Sequence, residues 1–311
     1  MKVLITGGAG YIGTVLIPEL LQRGHEILVY DNLLYNADVL IPYFRYPNFS
    51  FVKGDVLETE KLQRVIQDCD AVIHLAAVVG YDACNRNPEL SKLINTVSTQ
   101  NIVNMLRPDQ LLFFGSTGSN YGIVDGVCDE KTPLNPQTIY AKTKTDAENI
   151  VMTHPSSISY RFATAFGPSP RLRLDLLVNE LSYLAVSQKY MLVYQPENMR
   201  TFIHVNDIAK SFVFGIENHS KMIGNVYNVG GNHMNYTKRQ ICEIIKEKTN
   251  CVVYYNDFDS DKDHRDYEVS YEKISHLGFK PDITVEDGIE ELLKIYKILN
   301  LKDKKYVNSG V

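Results

Sequence analysis

Tyr140 and Lys144 stand four residues apart in Tyr140-Ala141-Lys142-Thr143-Lys144. In a helix that spacing puts both side chains on one face. A phenol, with a pKa of about 10, is a poor base at neutral pH. An ammonium one turn away stabilises the phenolate and brings it into working range. Such a pair can take the proton of an alcohol whose carbon gives up a hydride. Thr117 lies in Phe113-Phe114-Gly115-Ser116-Thr117-Gly118-Ser119-Asn120-Tyr121-Gly122, after an apolar run that reads as a strand. A hydroxyl at a strand's end can hydrogen-bond the reacting oxygen and share its proton with the tyrosine. The same residue types also build ordinary tight turns.

A hydride needs an acceptor, and Val3-Leu4-Ile5-Thr6-Gly7-Gly8-Ala9-Gly10-Tyr11-Ile12-Gly13 offers a place for one. Buried-strand residues end in glycines and pass into an amphipathic stretch, the strand–turn–helix context of a phosphate-cradling motif. Gly7 lets the chain turn off the strand, Gly10 admits a pyrophosphate, and Gly13 lets the helix pack on the sheet. The helix N-terminus adds unpaired N–H groups and its positive dipole end. The next strand-like run ends in Asp31, 18 residues after Gly13, near where an acid holds the adenosine ribose hydroxyls. A carboxylate there repels a ribose 2′-phosphate, and Asn32 supplies no positive charge, so NAD is favoured over NADP. A solvated strand-end aspartate is the alternative.

The elements that must carry these groups follow from the pattern of the chain. Strand-like runs at 3–6, 27–30, 49–53, 71–74, 111–114 and 157–161 alternate with helical periodicity at 12–23, 58–67, 88–106 and 139–153. That alternation predicts a doubly wound parallel sheet with helices on both faces, whose ligands bind at the carboxyl ends of the strands. After Phe162 the rhythm changes to short strands (191–194, 201–204, 225–229) among helices, the one at 237–249 opening with a Thr237/Gln240 capping box. A final amphipathic helix is expected at 285–299 and a frayed tail from 302. The expected organisation is α/β, with a dinucleotide domain over 1–165, to which 200–222 returns, and a smaller substrate domain over 166–311.

With 311 residues, the chain is long enough for such an organisation. Its net charge of −5, with no basic block, advertises neither nucleic acid nor an anionic membrane. The five cysteines form no C-x-x-C pair and read as reduced thiols of a cytoplasmic protein. The early first strand leaves no room for a signal peptide, and no apolar run approaches the roughly 18 residues of a membrane span. His74 and His204 end apolar strands and read as buried core residues. Neither the histidines nor the cysteines show metal-ligand spacing, so no metal is expected.

Taken together, these motifs resemble the extended short-chain dehydrogenase/reductase family, specifically its nucleotide-sugar epimerases and dehydratases. The resemblance runs from Lys2 to about Leu299 and is carried by 6–13, Asp31, Gly54-Asp55-Val56, His74-Leu75-Ala76-Ala77, 116–122, 140–144, Gly167-Pro168 and 200–207. It implies a Rossmann sheet with bound NAD, a nucleotide-diphosphate sugar as substrate, and a homodimer formed by the helices at 88–106 and 139–153. By the same resemblance Tyr140, Lys144 and Thr117 are catalytic. Gly7, Gly10, Tyr11, Ile12, Gly13, Asp31, Asn32, Asp55, Val56, Leu75, Ala76, Ala77, Asn95 and Ser116 would hold the cofactor. Gly118, Ser119, Thr164, Asn179, Arg200 and Arg265 would join Thr117 around the substrate.

Relatives that are dehydratases carry an Asp-Glu pair after the catalytic threonine. Gly118 and Ser119 stand there instead, against a 4,6-dehydratase. Thr164 replaces an asparagine usual in relatives. The runs 168–179, 237–240 and 265–267 resemble a branch that modifies sugars for bacterial surface polysaccharides, GDP-heptose 4-dehydrogenases among them. The expected activity is NAD-dependent oxidation at C4 of a nucleotide sugar, as a 4-epimerase or a 4-dehydrogenase. A 4-keto reductase uses the same residues in reverse. A non-catalytic nucleotide sensor is the remaining reading, and the retained Tyr140, Lys144 and Thr117 argue against it.

Overall fold

Val3, Leu4 and Ile5 are all fully buried, but not on one side: Val3 and Ile5 join one core, Leu4 another. Successive side chains of a strand point to opposite faces, so the first strand is sandwiched between two helical layers. The computed structural model describes residues 1–35, 37–256, 266–299 and 306–308. In chain order the first half holds β1 Lys2–Thr6, α1 Gly13–Gln22, β2 Glu26–Asp31, β3 Phe49–Lys53, α2 Thr59–Gln67, β4 Ala71–His74, α3 Tyr81–Arg86, α4 Pro88–Lys92, α5 Ser98–Met105, β5 Leu111–Thr117, β6 Ile123–Cys128, α6 Ile139–Val151 and β7 Ser157–Phe162. The second half adds β8 Thr164–Phe166, α7 Leu177–Ser187, β9 Tyr190–Tyr194, β10 Met199–His204, α8 Val205–Met222, β11 Asn225–Val229, β12 Asn235–Thr237, α9 Lys238–Thr249, β13 Val252–Asn256, β14 Asp266–Val269, α10 Glu272–Ser275 and α11 Val285–Tyr296.

Among the described residues, seven parallel strands form one sheet in the order β11-β7-β5-β4-β1-β2-β3. The chain starts at the centre, winds outward through β3, then returns to build the other half from β4. The reversal places the carboxyl ends of β1 and β4 side by side, where such sheets bind ligands. On one face, Leu16, Ile17 and Leu20 of α1 pack with Ile208, Phe212 and Ile216 of α8; on the other, α2, α5 and α6 bury Leu62, Ile66, Ile102, Ala147 and Val151. In α1, Pro18 has no N–H to give to the carbonyl of Thr14, and the Tyr43 hydroxyl bonds that carbonyl instead. A separate core joins α7, α9 and α11 through Val178, Leu181, Ile241, Ile245, Ile289 and Leu292.

Several expectations change. β11, read into the substrate domain, pairs with β7 as the edge strand of the main sheet. The helix expected over 88–106 is α4, a π turn at Leu93–Val97, and α5. Within that turn the Asn95 side chain faces inward, accepting from the Val78 N–H at 2.8 Å and donating to the Val78 carbonyl and to Thr143 Oγ1, each at 3.0 Å. β6 and β14, which pair in parallel, and β13, which pairs with β9, had no counterpart in the sequence reading. Residues 306–308, placed in a frayed tail, are docked: the Leu174 N–H donates to the Tyr306 carbonyl at 2.7 Å and Asn308 is buried. The Thr237/Gln240 capping box is present. All five cysteines are buried free thiols. Among the described residues no helix is long and apolar enough to cross a membrane, and no group of three or more His, Cys, Asp or Glu side chains could hold a metal ion.

Candidate active site

A cleft of about 950 Å³ runs along the carboxyl edge of the sheet. That is near the upper end of the roughly 300–1,000 Å³ of small-molecule sites. One end is the glycine turn. Gly7 has φ +73°, and a Cβ on it would lie 2.6 Å from the Ala76 nitrogen; a Cβ on Gly13 would lie 2.5 Å from the Gly8 carbonyl oxygen. Side chains are excluded at these two positions, where the turn packs directly on neighbouring backbone. The start of α1 opens where Gly10, Tyr11, Ile12 and Gly13 line the cleft, although the Thr14, Val15 and Leu16 N–H groups already donate to the Gly10 and Ile12 carbonyls.

Past the turn stands Asp31. Its carboxylate accepts from the Ala9 N–H at 3.0 Å and the Leu33 N–H at 2.8 Å. Burial pushes its pKa up, against those two bonds, which favour the ionised form. Asn32 donates to Asp55 at 3.0 Å, and Asp55 and Val56 line the same wall. Leu75, Ala76 and Ala77 follow β4 along the floor. Beneath them His74 bridges Thr6 at 2.7 Å and Thr99 at 3.0 Å, and its burial draws its pKa down to about 3. It is a neutral core residue, as expected. These surfaces fit a dinucleotide with its pyrophosphate on the turn and its adenosine ribose at Asp31.

The middle of the cleft is lined by Ser116, Thr117, Ser119, Tyr140, Lys144 and Thr164. β5 delivers Thr117, whose Oγ1 accepts from the Ser119 N–H and donates to the Ser119 hydroxyl, both at 3.1 Å. Thr138 caps α6 by accepting from the Ala141 N–H at 3.1 Å, so Tyr140 stands in the helix's first turn. One turn on, the Lys144 ammonium lies 3.8 Å from the centre of the Phe114 ring. Burial lowers its pKa to about 7, while Glu148 pulls the other way. Arg161 forks onto that Glu148 from β7 and fastens α6 to the sheet. The buried Thr164 Oγ1 has no hydrogen-bond partner, an orphan that a ligand can satisfy.

The far end is basic: Arg200, 2% exposed, lines it with Lys238. Arg171 and Arg173 reach the cleft from the loop that is fastened over the glycine turn. Arg173 is forked by Asp175 at 3.1 and 2.8 Å.

Three expected site residues do not reach the cleft. Asn95 ties Val78 to α6, as described. Asn179 spends its amide on backbone: it accepts from the Gly167 N–H at 3.0 Å and donates to the carbonyls of Arg173 at 2.8 Å and Gly167 at 3.3 Å. It shapes the loop that carries the arginines. Gly118 packs away, where a Cβ would sit 3.1 Å from the Tyr267 hydroxyl and 3.3 Å from the Phe162 carbonyl oxygen. Arg265 lies outside the described residues. Conversely, Tyr35, Arg171, Arg173, Asp175 and Asn308 line the cleft without having been picked as site residues. For the arginines a signal existed: two cations alternating with leucines in a run of buried spacing.

Sheet and cleft together define a doubly wound dinucleotide-binding fold, with a separate small core packed beside the sheet. A profile of the NAD dependent epimerase/dehydratase family matches residues 3–230, and the chain belongs to that family. It is an NAD-dependent enzyme. The chain is similar to the low-salt glycan biosynthesis protein Agl12 of Haloferax volcanii, with 29% identity over 95% of this chain and 98% of the relative. A putative UDP-glucose 4-epimerase of Methanocaldococcus jannaschii is 24% identical over the same shares. The crystal structure of a dTDP-glucose 4,6-dehydratase from Bacillus anthracis in complex with NAD superposes with a TM-score of 0.84 at 25% identity, covering 100% of both chains.

Proposed function

We propose that the chain oxidises the C4 hydroxyl of a nucleotide-diphosphate sugar. The observation that carries this reading is one continuous cleft lined by Tyr140, Lys144 and Thr117 together with the glycine turn, Asp31 and Arg200. Tyr140 is the base, and Lys144, held dry above Phe114, favours its phenolate. Thr117 bonds the reacting oxygen, and Thr164 donates to the sugar. Bound NAD supplies the hydride acceptor. Gly7, Gly10, Tyr11, Ile12, Gly13, Asp31, Asn32, Asp55, Val56, Leu75, Ala76, Ala77 and Ser116 form the cofactor surface. Arg200 takes the substrate diphosphate in its planar fork, Ser119 helps to hold the sugar, and the core of α7, α9 and α11 supports that half of the cleft.

Gly118 and Ser119 supply no acid–base pair for removing water from the sugar, which favours a 4-epimerase or 4-dehydrogenase over a dehydratase. The likeness to a glycan biosynthesis protein supports a place in building surface polysaccharide, with GDP-heptose among the candidate substrates. Leu90, Leu93 and Val97, exposed at helical spacing on 88–97, supply an apolar stripe for a two-fold dimer.

The test is to incubate purified protein with GDP-, UDP-, CDP- and dTDP-sugars, following NADH absorbance and the products by mass and NMR. An isomer of unchanged mass with no lasting NADH identifies an epimerase. A product lighter by one pair of hydrogens, with NADH accumulating, identifies a dehydrogenase. No change in any sugar, with NAD bound, overturns the reading.

A further inference from the structure

The cleft contains a buried cation with which no carboxylate among the described residues forms an ion pair. Arg171 is 3% exposed. Its guanidinium carbon lies 4.1 Å from the centre of the Tyr35 ring, Nη1 donates to the Leu172 carbonyl at 3.1 Å, and Nη2 donates to Asn308 Oδ1 at 2.8 Å. Among the described residues no acid pairs with it, because the nearby Asp175 is forked by Arg173. Burial and the charge of Arg173 draw the Arg171 pKa down to about 10, which leaves it charged at neutral pH.

Asn308 makes two further contacts. Its N–H donates to Asp175 Oδ2 at 3.3 Å and its Nδ2 donates to the Val79 carbonyl at 3.2 Å. Residues 306–308 thus strap the loop after β4 to the loop before α7. That second loop is itself fastened over the glycine turn. Tyr11 donates its hydroxyl to the Gly167 carbonyl at 2.7 Å, and Ser169 donates to the Tyr11 carbonyl at 2.8 Å while bonding Thr14 Oγ1 at 2.9 Å. Tyr35, on which Arg171 stacks, follows Asp31 on the same wall. Arg171 is therefore anchored to both segments that flank a dinucleotide's pyrophosphate.

We propose that Arg171 is the counter-charge of the bound dinucleotide's pyrophosphate, and that Asn308 is the positioning residue that holds it there. A planar guanidinium suits a diphosphate. Its neutral partners leave the charge available, whereas a carboxylate would have cancelled it.

The test measures NAD affinity and dissociation rate by calorimetry and NADH fluorescence, with adenosine and nucleoside diphosphates (GDP, UDP, CDP and dTDP) as comparison ligands. Wild-type binding is measured first, so that the cofactor assignment stands or falls by itself. Arg171→Met is expected to weaken NAD about tenfold or more, the size of a lost charged hydrogen bond, with adenosine unchanged and Arg171→Lys recovering part of the loss. Asn308→Ala is expected to speed NAD release in the same direction, and it carries the test alone if Arg171→Met does not fold. Unchanged NAD affinity in the folded variants overturns the proposal. A loss confined to the nucleoside diphosphates does so as well, because it moves Arg171 to the substrate.

Discussion

Arg161 Nη2 donates to Glu148 Oε1 at 2.6 Å, with 7% and 2% of the two side chains exposed. Ser159 also donates to this carboxylate, at 3.2 Å, and Nη1 of the arginine donates to the Tyr121 hydroxyl at 3.0 Å. The pair joins the last turns of α6 to β7, and the same helix presents Tyr140 and Lys144 at its other end. Removing one partner strands a buried charge, at a cost of about 3–5 kcal/mol. Arg161→Met is therefore expected to lower the urea midpoint steeply, and the double variant Arg161→Met with Glu148→Met to recover part of it. Equal midpoints for the single variant and wild type would remove the pair from the support of the site.

Tyr140→Phe deletes a hydroxyl and leaves the ring. With Tyr140 as base, turnover is expected to fall about 10²–10⁴-fold while NAD binding by calorimetry stays within threefold or so, since no charged hydrogen bond to the cofactor is lost. An active Phe variant assigns the base elsewhere.

Lys144 makes stability depend on pH in a defined sense. Unfolded, a lysine holds its proton up to about pH 10.4; folded, Lys144 releases it at about 7. Between those values the unfolded chain binds more protons, so this group makes stability rise with pH across that window and penalises the fold below it. In the cofactor-free protein, the urea midpoint of wild type relative to Lys144→Met is expected to climb from pH 7 to 10. A flat difference would place the ammonium in water.

Leu93 is 44% exposed on the π turn, between Leu90 and Val97. Leu93→Glu puts a charge into the proposed dimer face, where a buried unpaired carboxylate is strongly disfavoured. Light scattering after gel filtration is expected to show a dimer for wild type and a monomer for the variant. A monomeric wild type removes this surface from assembly.

The sheet was legible because its code is local. β1 through α1 to Asp31 is written in burial periodicity and glycine spacing, and Tyr140 and Lys144 in helical spacing. What escaped depends on partners far along the chain. β6 is recognisable as a strand through β14, more than a hundred residues on, and β11, read as a strand, finds its place in the main sheet only through β7. Asn95 and Asn179 have the chemistry of ligand-binding amides, yet the same donors and acceptors serve a neighbouring backbone equally well. Nothing in residue type separates the two uses. Asn308 lies in a polar tail whose composition suggests fraying; its burial is set by a loop at 171–175 and a carbonyl at Val79.

The packing at Gly118 bears on how this activity can change over time. A side chain there meets the Tyr267 hydroxyl and the Phe162 carbonyl oxygen at once. An acid at this position, as a dehydratase would need, requires these neighbours to give by a few tenths of an ångström, Tyr267 of β14 among them. A change toward water elimination therefore involves a strand nearly 150 residues further along the chain as well as the loop that carries Thr117.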